Sequence, residues 1–181
     1  SIYGNAITGL GGSVSTTGLV NNDTLSGTAA WTSVANSTSN IGQYRVVGSG
    51  LSASTNYTLS ASQAGSNATA LTINPRHLMV TYTANPFSSI YGNVISGLTG
   101  TASSTGLVNG DTLTGASWTT TASATSNVGA YGIVGSGLSA NTNYTITASQ
   151  AASNATALTI TPRALKVTYT ANPFSSIYGN T

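Results

Sequence analysis

Leu78-Met79-Val80-Thr81-Tyr82-Thr83 places an apolar residue at every second position. A period of two gives a strand with one buried face and one exposed face. The stretch returns as Leu165-Lys166-Val167-Thr168-Tyr169-Thr170, where Lys166 replaces Met79 at an outward position. Working outward, Tyr57, Leu59 and Ala61 alternate in the same way and are matched by Tyr144, Ile146 and Ala148. Leu71 and Ile73 pair with Leu158 and Ile160, and Tyr44 and Val46 with Tyr131 and Ile133. Each of these runs predicts a strand. Turn residues separate them. Asn21-Asn22-Asp23 and Asn109-Gly110-Asp111 tolerate a left-handed backbone, while Gly48-Ser49-Gly50, Gly135-Ser136-Gly137, Asn85-Pro86 and Asn172-Pro173 read as further turns. No stretch has a helical period; at most Gly18 to Leu25 holds one short helical turn. Short strands at regular spacing with turns between them predict an all-β chain.

The alternation recurs because the whole text recurs. Ser1-Ile2-Tyr3-Gly4-Asn5 returns at 89–93 and again at 176–180. Aligning 1–88 with 89–175, with one gap opposite Thr28, leaves 63 of 87 pairs identical. A unit of this size is close to the commonest domain size, so each can bury its own core and the chain reads as beads rather than as a thin solenoid. Proline fixes φ and holds the residue before it extended. The joints are therefore expected at Ile73-Asn74-Pro75-Arg76 and Ile160-Thr161-Pro162-Arg163. That phase gives module 1 over 1–75 without its first strand, a complete module 2 over 76–162, and the opening strands of module 3 over 163–181. The Tyr-Gly-Asn mark then lies inside a module, just after its first strand. A chain that opens and closes on one motif reads as a segment of a longer protein.

Charge is nearly absent. Only 3% of residues are charged: Arg45, Arg76, Arg163, Lys166, Asp23 and Asp111. Four cations cannot form the clustered basic face that nucleic acid needs. A surface of Ser, Thr, Asn and Gly has little charge repulsion, so self-association is easy. There is no cysteine, hence no disulfide framework and no thiol chemistry. No apolar run approaches the ~18–20 residues of a membrane span.

The ordered motifs carry a resemblance. Ser-Ile-Tyr-Gly-Asn is followed by Gly-Leu-Val-Asn-x-Asp-Thr-Leu at 18–25 and 106–113, then Ser-Asn-(Ile/Val)-Gly-x-Tyr at 39–44 and 126–131. Asn-Tyr-Thr at 56–58 and 143–145 and Leu-Thr-Ile-x-Pro-Arg at 71–76 and 158–163 complete the set. This order resembles the MBG domains with a Tyr-Gly-x motif found in filamentous-haemagglutinin-like adhesins of bacterial surfaces. The resemblance implies mainly-β, β-sandwich or β-grasp-like modules, elongated in tandem as the rod of an extracellular fibre. Such modules often carry more acidic residues than this chain, which argues against calcium-stiffened linkers here.

The candidate chemistry is sparse. Asp23 and Asp111, one per unit, read as turn residues, since paired acid–base catalysis and calcium binding both need several carboxylates together. His77 is the only histidine and is replaced by Ala164, so it reads as an exposed strand-edge residue rather than a ligand or catalyst. Arg76 and Arg163 follow the hinge prolines and are expected to bond carbonyls across the joint. Trp31, Trp118, Tyr3, Tyr91 and Tyr178 could stack on sugars but are better read as core or interface. Asn-x-Ser/Thr sequons at Asn22, Asn36, Asn56, Asn67, Asn143 and Asn154 allow a glycan. The Thr-rich strands reflect β-propensity on an uncharged face rather than an ice-binding array. Gly-Ser-Gly opens no helix and is no phosphate loop. No catalytic residue, cofactor or metal is expected.

The sequence therefore predicts a structural repeat segment of a secreted bacterial adhesin or extracellular filament, acting as stalk or self-assembling fibre. Its partners would be similar modules along the chain, or identical chains packed end to end or side by side. A strand beginning after Pro-Arg could pair with a neighbouring copy, because unpaired edges invite strand addition. The alternative is a carbohydrate-binding surface module using exposed aromatics.

Overall fold

The computed structural model describes residues 1–179; Asn180 and Thr181, the end of the third partial module, lie outside the described residues. The chain is all-β. In the first module the strands are β1 (Ser26–Thr32), β2 (Gly42–Tyr44), β3 (Val47–Ser52) and β4 (Leu71–Ile73). In the second they are β5 (Arg76–Ala84), β6 (Phe87–Ile90), β7 (Gly100–Thr105), β8 (Ser117–Thr119), β9 (Gly129–Tyr131), β10 (Val134–Ser136), β11 (Tyr144–Gln150) and β12 (Leu158–Thr161).

In the second module β5 is the organising strand. It lies between β11, to which it runs parallel, and β7, to which it runs antiparallel. Leu78, Val80, Tyr82 and Ala84 point inward and are buried, while Met79 and Thr83 between them are exposed. The chain then crosses at Asn85-Pro86 into a different sheet, where β12 is parallel to β6 and antiparallel to β9. Asn85-Pro86 is thus a bend from sheet to sheet, not the turn expected from sequence. Proline suits the crossing because it has no N–H to lose from a ladder. A third small sheet pairs β8 with β10.

The first module repeats only half of this. β1 pairs with β3 as β8 does with β10, and β2 with β4 as β9 does with β12. The Ile2–Asn74 bridge matches the Ile90–Thr161 pair. Residues 12–17 and 57–63, the twins of β7 and β11, form no strand. The strand expected over 57–61 is therefore corrected, and the cause is topological. In the second module β7 and β11 each take their ladder bonds from β5, and a strand without a bonded neighbour leaves its backbone groups unpaired. The same reason removes the strand expected over 165–170. It repeats β5 almost letter for letter, yet among the described residues it has no partner, and Leu165 and Tyr169 are 87% and 93% exposed.

Three smaller expectations also change. Gly48-Ser49-Gly50 is not a turn but part of β3, and Gly135 and Ser136 lie in β10. Glycine is required there because a Cβ on Gly48 or Gly135 would stand 2.9 or 2.7 Å from the indole of Trp31 or Trp118. Gly18 to Leu25 holds no helical turn; instead, short 3-10 turns form at Gly65–Thr69 and Ala152–Thr156. His77 is exposed as expected, but it sits at the start of the middle strand β5 rather than on an edge, its Nε2 2.8 Å from Thr147 Oγ1. Thr28, opposite the alignment gap, falls where the β1–β3 register shifts between Gly27 and Ala30, so the extra residue is absorbed as a bulge.

Two clusters fill the interior. One gathers Ala84, Ile133, Ala157 and Leu158 with Trp118, Phe87 and Tyr131 around them. The other joins Tyr3, Ala35, Val46, Leu71 and Ile73 of the first module to Leu78 and Tyr144 of the second. The core therefore runs through the joint.

Candidate functional site: the joint between the modules

The joint is built from both sides. On the first module it presents Tyr3, Gly4 and Asn5; on the second it presents the turn Val108–Asp111 and Tyr144. In that turn the Asp111 N–H donates to the Val108 carbonyl at 3.0 Å, and Asn109 and Gly110 have φ of 57° and 77°. Positive φ at both central residues is what a tight type I′ turn needs. The turn pushes Val108 outward and aims the Asp111 carboxylate at the joint.

Tyr3 fits against that surface. Its hydroxyl donates to Asp111 Oδ2 at 2.9 Å, and its ring meets the Tyr144 ring edge-on, 5.4 Å between centroids. The Tyr144 hydroxyl donates to the same oxygen at 2.8 Å, and Asn141 Nδ2 donates to Asp111 Oδ1 at 2.9 Å. Three donors, chiefly the Tyr144 hydroxyl, hold the Asp111 carboxyl below its ordinary range, against the opposing effect of desolvation. Burial, with Asp111 beside it, pushes the Tyr144 phenol upward. Gly4 has φ 84°, and a Cβ there would collide with Val108 Cγ2, so the backbone passes where no side chain fits.

Arg76 locks the first side. Its Nε donates to the Tyr3 carbonyl at 2.8 Å and its NH2 to Asn5 Oδ1. Pro75, between β4 and β5, leaves Arg76 only a short reach back to that loop. Asn143 bridges the modules: the Ile41 N–H donates to its Oδ1 at 2.9 Å, and its Nδ2 donates to Asn40 Oδ1 at 2.9 Å. Asn109 Nδ2 adds a bond to the Ser37 carbonyl at 3.0 Å. The far end of the second module repeats the clamp without the dock. Arg163, after Pro162, donates to the Tyr91 carbonyl at 2.8 Å and to Asn93 Oδ1. Tyr91 is 42% exposed, whereas Tyr3 is 4% exposed.

Residues 1–67 and 80–155 match the MBG domain of the YGX type. The chain belongs to the MBG domain family. That family is a repeat domain of surface proteins, and two matches in one chain make this a tandem of MBG domains. No curated protein and no solved structure matches the chain.

In this tandem of MBG domains the first copy of the motif, Tyr3-Gly4-Asn5, serves the boundary, and Asp111 is more than a turn residue: its carboxylate is the acceptor on which the joint converges. Asp23 accepts the Tyr57 hydroxyl at 2.6 Å in the first domain. The signal available in the sequence was the repeated Asp–Tyr pair, Asp23 with Tyr57 and Asp111 with Tyr144, 34 and 33 positions apart. Trp31 and Trp118 are not exposed platforms. Trp118 is half-buried, wedged between Gly100 and Gly135 and edge-on to Tyr82 at 5.8 Å. Among the sequons, Asn143 and Asn154 are buried and bonded at both ends of the side chain, which removes them as glycan acceptors in the folded protein. Among the described residues no group of three or more His, Cys, Asp or Glu comes together.

Proposed function

We propose that this chain is a stiff structural spacer of a bacterial extracellular surface fibre or adhesin stalk, without catalytic activity. The observation that carries this reading is the part-buried Tyr3–Asp111–Tyr144 contact across the domain boundary. Domains joined by a flexible linker keep separate surfaces. Here a two-residue connection, an arginine clamp and a shared apolar cluster set one domain's orientation on the next. Repetition of that joint would convert domain number into length, which is what a stalk requires. The near-absence of charge supports close packing beside like chains.

Small-angle scattering of the two-domain chain tests the stiffness. A single extended arrangement is expected, and Gly4→Val should broaden it by driving a side chain into Val108. A wild-type chain that scatters as two freely jointed domains would sink the proposal. Immunogold labelling of the source cells tests the location, with label on surface filaments expected and label confined to the cell interior counting against it.

A further inference from the structure

The second domain opens and closes on strands that run the same way. β5 enters it at Arg76, and β12 leaves it at Thr161. Residues 76–82 of β5 are parallel to residues 144–150 of β11, and β6 is parallel to β12. The opening stretch β5–β6 and the closing stretch β11–β12 therefore lie side by side over two successive ladders. Each ladder also holds one of the two end strands from both sides. β5 lies between β11 and β7, and β12 lies between β6 and β9.

Tension along the chain enters at the start of one stretch and leaves at the end of the other. Two parallel strands pulled from opposite ends are sheared, so the load falls on every bond of the ladder at once. Strands pulled from the same end unzip, and each bond breaks alone. One backbone hydrogen bond contributes little by itself, so the number loaded together decides the resistance. We propose that the second domain is a load-bearing clamp, in which tension along the chain is carried as shear between β5–β6 and β11–β12. This deepens the spacer reading and rests on it for the source of the load, but the clamp itself stands on strand direction, which the joint does not set.

The weak point of such a clamp is the place where the chain changes sheets, at Asn85-Pro86 on one stretch and residues 151–157 on the other. Buried Asn154 spans it. Its Oδ1 accepts the Ala84 N–H at 2.7 Å, and its Nδ2 donates to the Tyr82 carbonyl at 3.0 Å. The Ala151 N–H donates to the same carbonyl at 2.8 Å, and the Phe87 N–H donates to the Ala157 carbonyl at 2.8 Å. Both outer ends are fastened too. The Arg76 N–H donates to the Asn143 carbonyl at 2.9 Å, the Tyr91 N–H to the Thr161 carbonyl at 2.9 Å, and Arg163 Nε to the Tyr91 carbonyl at 2.8 Å. Leu78, Val80 and Tyr82 bury one face of the first ladder, and Leu158 and Ile160 one face of the second. Burial on that face hinders water from taking over a strained bond.

The chain has no cysteine, so introduced pairs can serve as handles for pulling single molecules of the full chain. His77→Cys with Ala164→Cys loads the two stretches from opposite ends. His77→Cys with Thr142→Cys loads them from the same end, because Arg76 and Tyr144 are register partners. All three positions are exposed, and the first domain lies outside both loaded segments. At equal pulling rate the first pair should need a several-fold higher force to unfold the domain than the second, since forced unfolding reads the barrier and not the equilibrium stability. Asn154→Ala should lower the first force and leave the second unchanged, because unzipping starts at the Arg76 end; a general loss of stability would lower both. Equal forces in the two geometries overturn the clamp, and that comparison needs no variant of the interior. An Asn154→Ala chain that weakens alike in both geometries overturns the role of Asn154 in it. Neither result bears on the scattering of the two-domain chain, which tests the spacer reading separately.

Discussion

The Tyr3 hydroxyl and Asp111 Oδ2 lie 2.9 Å apart across a domain boundary, although the two residues are 108 positions apart in sequence. One phenol, at the end of the Ser-Ile-Tyr mark, thereby reads the only carboxylate of the next domain. A hydrogen bond to a charged group contributes about 1.5–3 kcal/mol when its partner is desolvated, and less where water can replace it.

Tyr3→Phe keeps the ring against Tyr144 and removes only that bond. The expected result is weaker domain–domain coupling, read as greater inter-domain freedom in residual dipolar couplings. Tyr91→Phe is the control and should change nothing, because its ring is 42% exposed and docks on no domain of the same chain. Equal effects from the two substitutions would refute the boundary role of Tyr3.

Coupling should also depend on pH at both extremes. Asp111 has a lowered folded pKa, chiefly through the Tyr144 hydroxyl, so its contribution is full above the unfolded value and is lost as pH falls through the folded one. Tyr144 has a raised folded pKa, chiefly through burial, so its contribution is full below its unfolded value and is lost as pH rises through the folded one. Inter-domain couplings should hold through neutral pH and weaken in strong acid and strong alkali. Asp111→Asn should abolish the acid-side change; an unaltered acid response in that variant would assign it elsewhere.

The twin positions Leu78 and Leu165 should respond very differently to alanine. Leu78 is 0% exposed on the inward face of β5, and its loss should cost about 2–5 kcal/mol in denaturant unfolding. Leu165 is 87% exposed, and at concentrations where the chain is monomeric its loss should stay within about 0.5 kcal/mol.

Gly135→Ala should destabilise by about 1–3 kcal/mol, because the new methyl would stand 2.5 Å from Tyr82 Cδ1 and 2.7 Å from Trp118. The near-ultraviolet circular dichroism of the Trp–Tyr pair should change with it. Gly65→Ala is the contrast: nothing lies within 4 Å of the added atom, and Ala152 already occupies the equivalent position. It should be neutral or stabilising by up to about 1 kcal/mol. Similar losses at both sites would rule out the Trp wedge as the cause.

Particular residues mark how far sequence alone could reach. The alternation of Leu78, Val80 and Tyr82 announced a half-buried strand, since side-chain period follows from backbone geometry alone. Gly48 and Gly135 misled as turns because the indole that requires them is brought there by strand pairing, which composition does not reveal. Asp111 read as a turn residue because its backbone does make a turn, while its phenol partners come from residues 33 and 108 positions away.

The sequence by itself determined the repeat, the all-β class and the inward face of β5, because these depend on local alternation and on comparing the chain with itself. Only the tertiary structure decided which alternating stretches become strands. Residues 78–83 and 165–170 have nearly the same text, yet one is the middle of a sheet and the other exposed chain. A strand's hydrogen bonds are made to its neighbours, so its existence depends on what lies beside it and not on its own sequence.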